Sequence, residues 1–450
     1  MTSAPGSAAP LGWGRIVRLG LVQMALGSMT VIAISTLNRV MVIEYALPAF
    51  VPGLLIALHY LVQMMRPRLG HGSDVGGRRT PWILGGLALL GGGTVGAAAA
   101  TTLVGVHPLA GLIAATAAYA GIGLGVGAAG TSLLALLAKS VTPSRRAAAA
   151  TVLWIMMIFG FAVTAGLMGK FLDPYGPLRL VALTACAVSV ALLLATAGLY
   201  GIESVRGATV PRRPGAGNPV DFREALAAVW REPLTRRFTA FIFLSMLAFS
   251  ALELLLEPFA GHVFHLTPGA SARVAGSLHS GAVLGMIAVA LATSALRIGN
   301  PAGWVRFGCL GSAVMLVVIA LGSAGILPLP LQSAVFTLGL ATGAFTVSAI
   351  GVMMDLAAAN GDGREGVRMG LWGGAQALAF AAGGLASTVS IDLARHWLGT
   401  ADMAYAVVFV AEGLLFAGAA SLAVGSPAPS RPGRTQHSSP RLPELGRGTA

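Results

Sequence analysis

The chain has 450 residues, of which 56% are hydrophobic and only 10% are charged, and its mean hydropathy is +0.80. This composition excludes a soluble globular protein and predicts an integral membrane protein. We therefore interpret the net charge of +13 as a signal of membrane topology with some affinity for anionic lipid. It does not indicate a nucleic-acid partner.

Apolar runs recur from one end of the chain to the other, and each is long enough to cross a hydrocarbon layer of ~30 Å as a helix. They predict an all-α membrane protein with about twelve transmembrane helices. The predicted spans lie near 16–37, 47–66, 82–105, 109–138, 148–170, 178–201, 238–258, 272–296, 304–325, 329–357, 367–391 and 403–425.

The basic residues predict the orientation of these spans. If the N-terminus is inside, about 24 of the 29 lysines and arginines fall in the tails and the even-numbered loops. Lys and Arg are retained on the cytoplasmic side of a membrane. We therefore expect a multi-pass protein of a bacterial inner membrane with both termini in the cytoplasm.

One long loop divides the spans into two sets of six. The predicted domains are a disordered tail (1–12), a six-helix half (13–201), a cytoplasmic linker (202–237), a second six-helix half (238–425) and a disordered tail (426–450). Within the linker, Asp221 and Glu224 have the spacing of a helix capping box, and the apolar residues that follow share one face. This pattern predicts an amphipathic helix on the membrane surface.

The two halves repeat weakly. Leu58-His59 recurs as Leu278-His279, and each histidine lies eleven residues after a proline, Pro48 or Pro268. The repeat favours a duplicated, pseudo-two-fold bundle in which both histidines face a shared cavity near the middle of the bilayer. A neutral imidazole there suits either an axial bond to a magnesium tetrapyrrole or a hydrogen bond to a neighbouring helix, and both interpretations remain open.

A short charged loop between the second and third spans carries a family pattern. Its spacing resembles the loop that joins the second and third helices of major facilitator transporters, which implies the same fold with two pseudo-symmetric halves. In that family the loop acts as a conformational gate, and here Val75 stands where the family usually has Arg. The matching residues are Gly70, Asp74, Gly77, Arg78 and Arg79.

Acidic residues inside predicted spans are candidate functional groups because a charge at the middle of a span costs at least ~2.5 kcal/mol. Glu253 and Glu257 occupy successive turns of one helix face, and Glu412 lies near the middle of the last span. Proton coupling is one interpretation of these carboxyl groups. Pairing with an arginine or a helix N-terminus is the other.

Asn38, Arg39 and Glu44 form a polar patch where the first span is predicted to leave the membrane on the outer side. Arg39 with Glu44 is either an ion pair that gates the protein or an anchor at the membrane interface, and we favour the anchor. Since the sequence shows no metal-ligand spacing, no nucleophile with His and Asp partners and no nucleotide motif, we expect neither an enzyme nor a metal site.

Four segments resemble a particular branch of the transporter superfamily, the PucC and LhaA group of phototrophic bacteria that delivers bacteriochlorophyll. They are residues 36–44, 46–49, 58–60 and 66–74. The resemblance implies a factor of the intracytoplasmic membrane that helps light-harvesting complexes assemble by binding or delivering bacteriochlorophyll or a precursor. Its implied partners are antenna polypeptides and pigment-synthesis proteins. The alternative, implied by the fold alone, is a secondary transporter of a small molecule.

Overall fold

The computed structural model describes residues 11–66, 69, 78–142, 145–203, 230–294, 296–358 and 365–423, which form helices and connecting turns. Residues 1–10 of the predicted N-terminal tail, the whole predicted C-terminal tail (426–450), residues 204–229 of the predicted linker, and Gly70, Asp74 and Gly77 lie outside the described residues. The helices are α1 (Trp13–Glu44), α2 (Phe50–Val62), α3 (Thr80–Val104), α4 (Pro108–Ser140), α5 (Arg146–Phe171), α6 (Pro177–Leu199), α7 (Pro233–Phe264), α8 (Pro268–Ser294), α9 (Pro301–Ser323), α10 (Leu331–Ala358), α11 (Glu365–Leu398) and α12 (Ala401–Leu422).

The prediction of an all-α membrane protein is confirmed. Eleven of the described helices are long and apolar enough to span a membrane, and the predicted span near 47–66 corresponds to a shorter apolar helix at Phe50–Met65. Several predicted boundaries were wrong by five residues or more, including the end of α1 and the start of α7. α1 does not end near residue 37 but continues to Glu44 through two π-helical turns. α7 begins at Pro233 rather than near 238, because a proline fits the first turn of a helix, where its missing N–H is not needed.

The helices alternate in direction, so each odd-numbered helix ends on the same side of the molecule. We call this side the turn face, because only short turns connect each odd-numbered helix to the next helix there. The opposite side, where α1 begins and α12 ends, is the tail face. The predicted orientation, which places the tail face in the cytoplasm, stays a prediction.

The two six-helix halves each have an apolar core. One core is formed mainly by α1–α6 and the other mainly by α7–α12. The halves meet where α1 packs on α7, α2 on α11 and α5 on α8. The repeat relates each helix of the first half to the helix six later, so α2 corresponds to α8 and α5 corresponds to α11. The α2–α11 contact therefore has its counterpart in the α5–α8 contact. This arrangement agrees with the pseudo-two-fold relation inferred from the repeat.

Glycines bring α8 and α10 into close contact. A Cβ atom added at Gly343 would lie 2.1 Å from the carbonyl oxygen of Ala282, and one at Gly339 would lie 2.2 Å from that of Leu278. Reciprocally, a Cβ at Gly281 would lie 2.2 Å from the carbonyl oxygen of Phe336. The abundance of glycine inside these helices therefore reflects backbone-to-backbone packing, which small residues allow in membranes.

This packing predicts different effects for two substitutions in the same helix. Gly343→Ala should destabilise the protein by about 1–3 kcal/mol, since the methyl group has no space. Gly351→Ala is the matched control: nothing lies within 4 Å of its added Cβ, so it should be neutral or stabilising by up to ~1 kcal/mol. Thermal unfolding of the purified proteins in detergent checks both values, and equal midpoints would contradict the packing argument.

Candidate functional site

The part of α1 nearest the turn face carries polar side chains into the junction between the halves. Two π-helical turns, Ile32–Thr36 and Val40–Glu44, lie on either side of Asn38 and Arg39. Such turns occur frequently at functional sites, because the extra residue in each turn redirects side chains. Asn38 and Arg39 are each only 1% exposed, so both face the protein interior.

Asn38 contacts a backbone group that a proline has left free. Pro258 lies inside α7, and because proline has no N–H, the carbonyl of Leu254 lacks its usual helical donor. The Asn38 Nδ2 atom donates a hydrogen bond to this carbonyl oxygen at 2.6 Å. One turn earlier on α1, the Ser35 hydroxyl donates to Glu257 Oε1 at 2.5 Å. Together these bonds attach α1 to α7 across the junction.

Arg39 lies at the centre of the same junction. Its guanidinium forms an ion pair with Glu44 on α1, and it donates to the Leu266 carbonyl oxygen at 2.7 Å and to the Ser271 hydroxyl at 3.4 Å. The favoured interpretation of an interfacial anchor requires an exposed arginine. Arg39 is buried and bonded to the other half, which does not fit that interpretation. The gate interpretation stays a prediction.

Two aspartates that the sequence analysis did not single out cap helices of the opposite half. Asp392, near the end of α11, accepts hydrogen bonds from the backbone N–H groups of Ala49 at 3.1 Å and Phe50 at 2.8 Å, at the start of α2. Asp173, just after α5, accepts from the Gly269 N–H at 3.0 Å. A carboxylate at a helix N-terminus satisfies free N–H groups and interacts favourably with the helix dipole.

These two caps are related by the pseudo-two-fold. α11 corresponds to α5, and α2 corresponds to α8, so each half contributes one aspartate and one capped helix. Asp173 is further held by the Thr267 hydroxyl at 2.7 Å and by Arg273 at 3.8 Å. Both caps lie on the turn face, and the bonds made by Asn38 and Arg39 lie in the part of the junction nearer to that face. The described hydrogen bonds between the halves are therefore concentrated on that side.

The prediction that His59 and His279 face a shared cavity is not supported by their surroundings. His59 is on α2, which packs on α4 and α11, whereas His279 is on α8, which packs on α5 and α10. The described contacts of the two histidines have no residue in common. Pseudo-symmetry therefore places the histidines in two similar interfaces rather than at one site.

The imidazoles also differ in their hydrogen bonds. His59 Nε2 lies 2.9 Å from the Gln63 side-chain nitrogen, and the Gln63 oxygen accepts from Arg66. This chain makes Nε2 of His59 the acceptor and leaves Nδ1 without a partner among the described residues. His279 is 3% exposed and packs edge-on against Phe161, with ring centroids 5.0 Å apart. It makes no hydrogen bond to any described residue.

The three predicted acidic residues are buried. Glu253 interacts electrostatically with Tyr60 on α2, and one of its oxygens has no described hydrogen-bond partner. The second oxygen of Glu257 also lacks one. Glu412 is 2% exposed, and neither of its oxygens meets a donor in the described part of the chain. None of the ion pairs among the described residues includes Glu253, Glu257 or Glu412, but Glu257 interacts electrostatically with Arg39. Proton coupling and pairing with an arginine therefore both stay predictions for these residues.

On the tail face, the described end of the motif loop makes contact with a residue that sequence reasoning missed. The Glu203 carboxylate, just after α6, accepts from the backbone N–H groups of Arg79 and Thr80, each at 2.8 Å. In the second half, Glu232 binds Arg368 through two bonds of 2.6 and 3.2 Å. Each of these two carboxylates connects helices of the same half. The aspartate caps, in contrast, connect helices of different halves.

Comparison with known proteins gives the family. The family described as "PUCC protein" matches residues 36–426. This chain belongs to that family. It is 48% identical over 422 residues to the "Bacteriochlorophyll synthase 44.5 kDa chain" of Rhodobacter capsulatus, covering 92% of this chain and 96% of that protein. It is 28% identical over 386 residues to "Protein PucC" of the same organism, covering 81% of each.

A solved structure confirms the predicted fold. A bacterial homologue of the human lysosomal transporter Spinster, in an inward-facing and unoccupied conformation, superimposes with a TM-score of 0.63 at 15% sequence identity. The match covers 91% of this chain and 95% of that one. This PUCC-family chain is therefore a multi-pass membrane protein with the fold of major facilitator transporters, as its charged loop predicted.

The Asn38 contact predicts a coupled effect in a double-mutant cycle. Asn38→Ala should cost about 1–3 kcal/mol of stability, because the buried Leu254 carbonyl loses its donor. Pro258→Ala restores a helical N–H for this carbonyl, so Asn38→Ala should cost less in that background. Chemical unfolding of the four proteins in detergent measures the coupling. Strictly additive losses would contradict the proline explanation.

Glu203 predicts a pH effect on stability. Burial raises the pKa of this carboxyl group, but hydrogen bonds from Arg79 and Thr80 outweigh it and hold the pKa below the ordinary value of 4.5. The stability that Glu203 contributes is therefore complete above pH 4.5 and is lost as the pH falls through the lowered folded-state pKa. The unfolding temperature of Glu203→Gln should fall less than that of the wild type over this window. Parallel curves would rule out the effect.

Proposed function

We propose that this protein is a membrane assembly factor for photosynthetic light-harvesting complexes, and that it binds or delivers bacteriochlorophyll or a precursor. The names of its relatives support this proposal: one is called a chain of a bacteriochlorophyll synthase, and others are called PucC. We further propose that the chain is not itself a synthase. The transporter fold favours binding and transfer over catalysis.

The observation that carries the proposal is the environment of His279. Its imidazole is buried between α8 and α5 and makes no hydrogen bond to any described residue, so a ring nitrogen remains available to a ligand. A neutral imidazole can supply the axial bond to the magnesium of a tetrapyrrole. Phe161, which packs against this imidazole, belongs to one buried apolar cluster with Ile158, Val283 and Met286, and such an apolar surface suits the flat faces of a macrocycle.

His59 is the less suitable of the two candidate pigment ligands. Its Nε2 atom is already engaged by Gln63, so coordination through Nε2 requires that hydrogen bond to break. The two histidines thus have different roles. His279 holds pigment, and His59 fixes the α2 side chains near the tail face.

The experiment is pigment retention by the full-length protein made in a phototroph. The wild type, purified in mild detergent, should absorb in the far red, and His279→Leu should lose most of that absorbance per mole of protein. His59→Leu should keep most of it. His107→Leu is the matched control, because His107 is an exposed histidine at the start of α4. A colourless wild type from pigment-replete cells, or full pigment in His279→Leu, would refute the proposal.

The assembly role has its own test. A strain that lacks the protein should contain less assembled antenna complex while still making bacteriochlorophyll, and the wild-type gene should restore it. The proposed partners are antenna polypeptides and pigment-synthesis proteins in the intracytoplasmic membrane. Chemical cross-linking in that membrane should recover them with the wild type. Normal antenna content in the deletion strain would exclude the role.

A second candidate function is secondary transport of a small molecule. The capping hydrogen bonds of Asp173 and Asp392 favour it, because they connect the two halves on one face. Such bonds can break and re-form when the halves rotate relative to each other, as transport by alternating access requires. This candidate predicts uptake or efflux that is sensitive to Asp392→Asn and to Asp74→Asn. It fails if these substitutions change antenna content alone.

A further inference from the structure

A cavity on the turn face plays no part in the proposed pigment site. It has a volume of about 550 Å³ and lies among the turn between α1 and α2, the end of α7 and the junction of α11 with α12. Val42, Leu47 and Pro48 line it from the first half, and Arg395 and Ala401 from the second. Both halves therefore contribute to its walls.

Arg395 is the cation of this cavity. Its Nη1 atom lies 3.4 Å from Nε2 of His262, and Nδ1 of His262 lies 3.1 Å from the Tyr405 hydroxyl. Because a guanidinium only donates, Nε2 of His262 is the acceptor. None of the ion pairs among the described residues involves Arg395. Most of its N–H donors are thus available to a ligand.

The carboxylate in the same wall does not neutralise this cation by direct contact. Asp392 lines the cavity, but its two oxygens accept hydrogen bonds from the N–H groups of Ala49 and Phe50. A second imidazole, that of His396, lines the cavity as well. No group of three or more His, Cys, Asp or Glu side chains in the described part of the chain can hold a metal ion. A guanidinium that lines a cavity without an ion-pair partner among the described residues suits an anion.

We propose that this cavity binds the anionic group of an amphiphile, a carboxylate or a phosphate, through Arg395 with His262 beside it. The apolar residues of the α1–α2 turn contact the alkyl part of the ligand. Since the ligand touches both halves, it stabilises the turn face in its joined state. The ligand is either the head group of a membrane lipid or a free acid, and both present the same chemistry to Arg395.

The test measures thermal unfolding of the full-length protein in a neutral detergent with defined probes. Hexanoate represents a free acid, and dihexanoyl phosphatidylglycerol represents an anionic lipid. Hexanamide and dihexanoyl phosphatidylcholine are the matched probes without net charge. A saturating anionic probe should raise the unfolding midpoint by about 2 °C or more, and the uncharged probes should not.

Variants locate the effect. Arg395→Gln should weaken the apparent affinity for the anionic probe roughly tenfold or more, since a charged hydrogen bond is lost. Lys170→Gln is the matched control, because it removes an exposed positive charge from the same face at a site outside the cavity. If Arg395→Gln does not fold, Ala401→Phe is used instead. This variant fills the cavity but keeps the guanidinium, so it should also weaken binding of the anionic probe.

Each result has one meaning. Stabilisation by phosphatidylglycerol alone supports the site and identifies a lipid ligand, and stabilisation by hexanoate alone supports it and identifies a free acid. Stabilisation by both supports the shared chemistry. The proposal is overturned if neither anion stabilises the wild type, or if Arg395→Gln folds and keeps the full stabilisation. Where Arg395→Gln does not fold, full stabilisation of Ala401→Phe overturns it.

Discussion

A bilayer offers no water to satisfy polar groups, so a polar side chain between the two halves must find its partner inside the protein. Several of the partners here are backbone groups that regular helices leave free. Asp173 and Asp392 accept from N–H groups in the first turns of α8 and α2, and Asn38 donates to the Leu254 carbonyl that Pro258 has left without a donor. Helix starts and one internal proline thus provide backbone partners at three of the contacts between the halves.

This constraint divides the junction into two regions. On the turn face, the halves are connected by hydrogen bonds that have direction and fixed partners. Deeper between α5 and α8, side chains such as Phe161 and Met286 make apolar contacts, which tolerate repacking better than polar networks do. The pigment proposal belongs to the apolar region around His279. The anion proposal belongs to the polar region around Arg395, so one can fail without the other.

The sequence indicated which polar residues lie in the apolar part of the chain, but it did not indicate which groups these residues contact. It predicted that His59 and His279 face one cavity, whereas they lie in two different helix interfaces. Their role as pigment ligands stays a prediction. The sequence identified Arg39 and Glu44 as a pair, but it assigned Arg39 to the membrane surface. Asp392 was missed because it follows an ordinary apolar run. The repeat that relates α5 to α11 was the available signal.

The sequence by itself determined the all-α membrane fold, the approximate spans and the two-half organisation. These depend on local composition measured against the thickness of the bilayer, so neighbouring residues contain the information. Only the tertiary structure decided which carboxylate caps which helix and which imidazole nitrogen is already engaged. Asp392 and Phe50 are bonded at 2.8 Å although most of the chain separates them. Such a contact depends on how two halves pack, which no local pattern specifies.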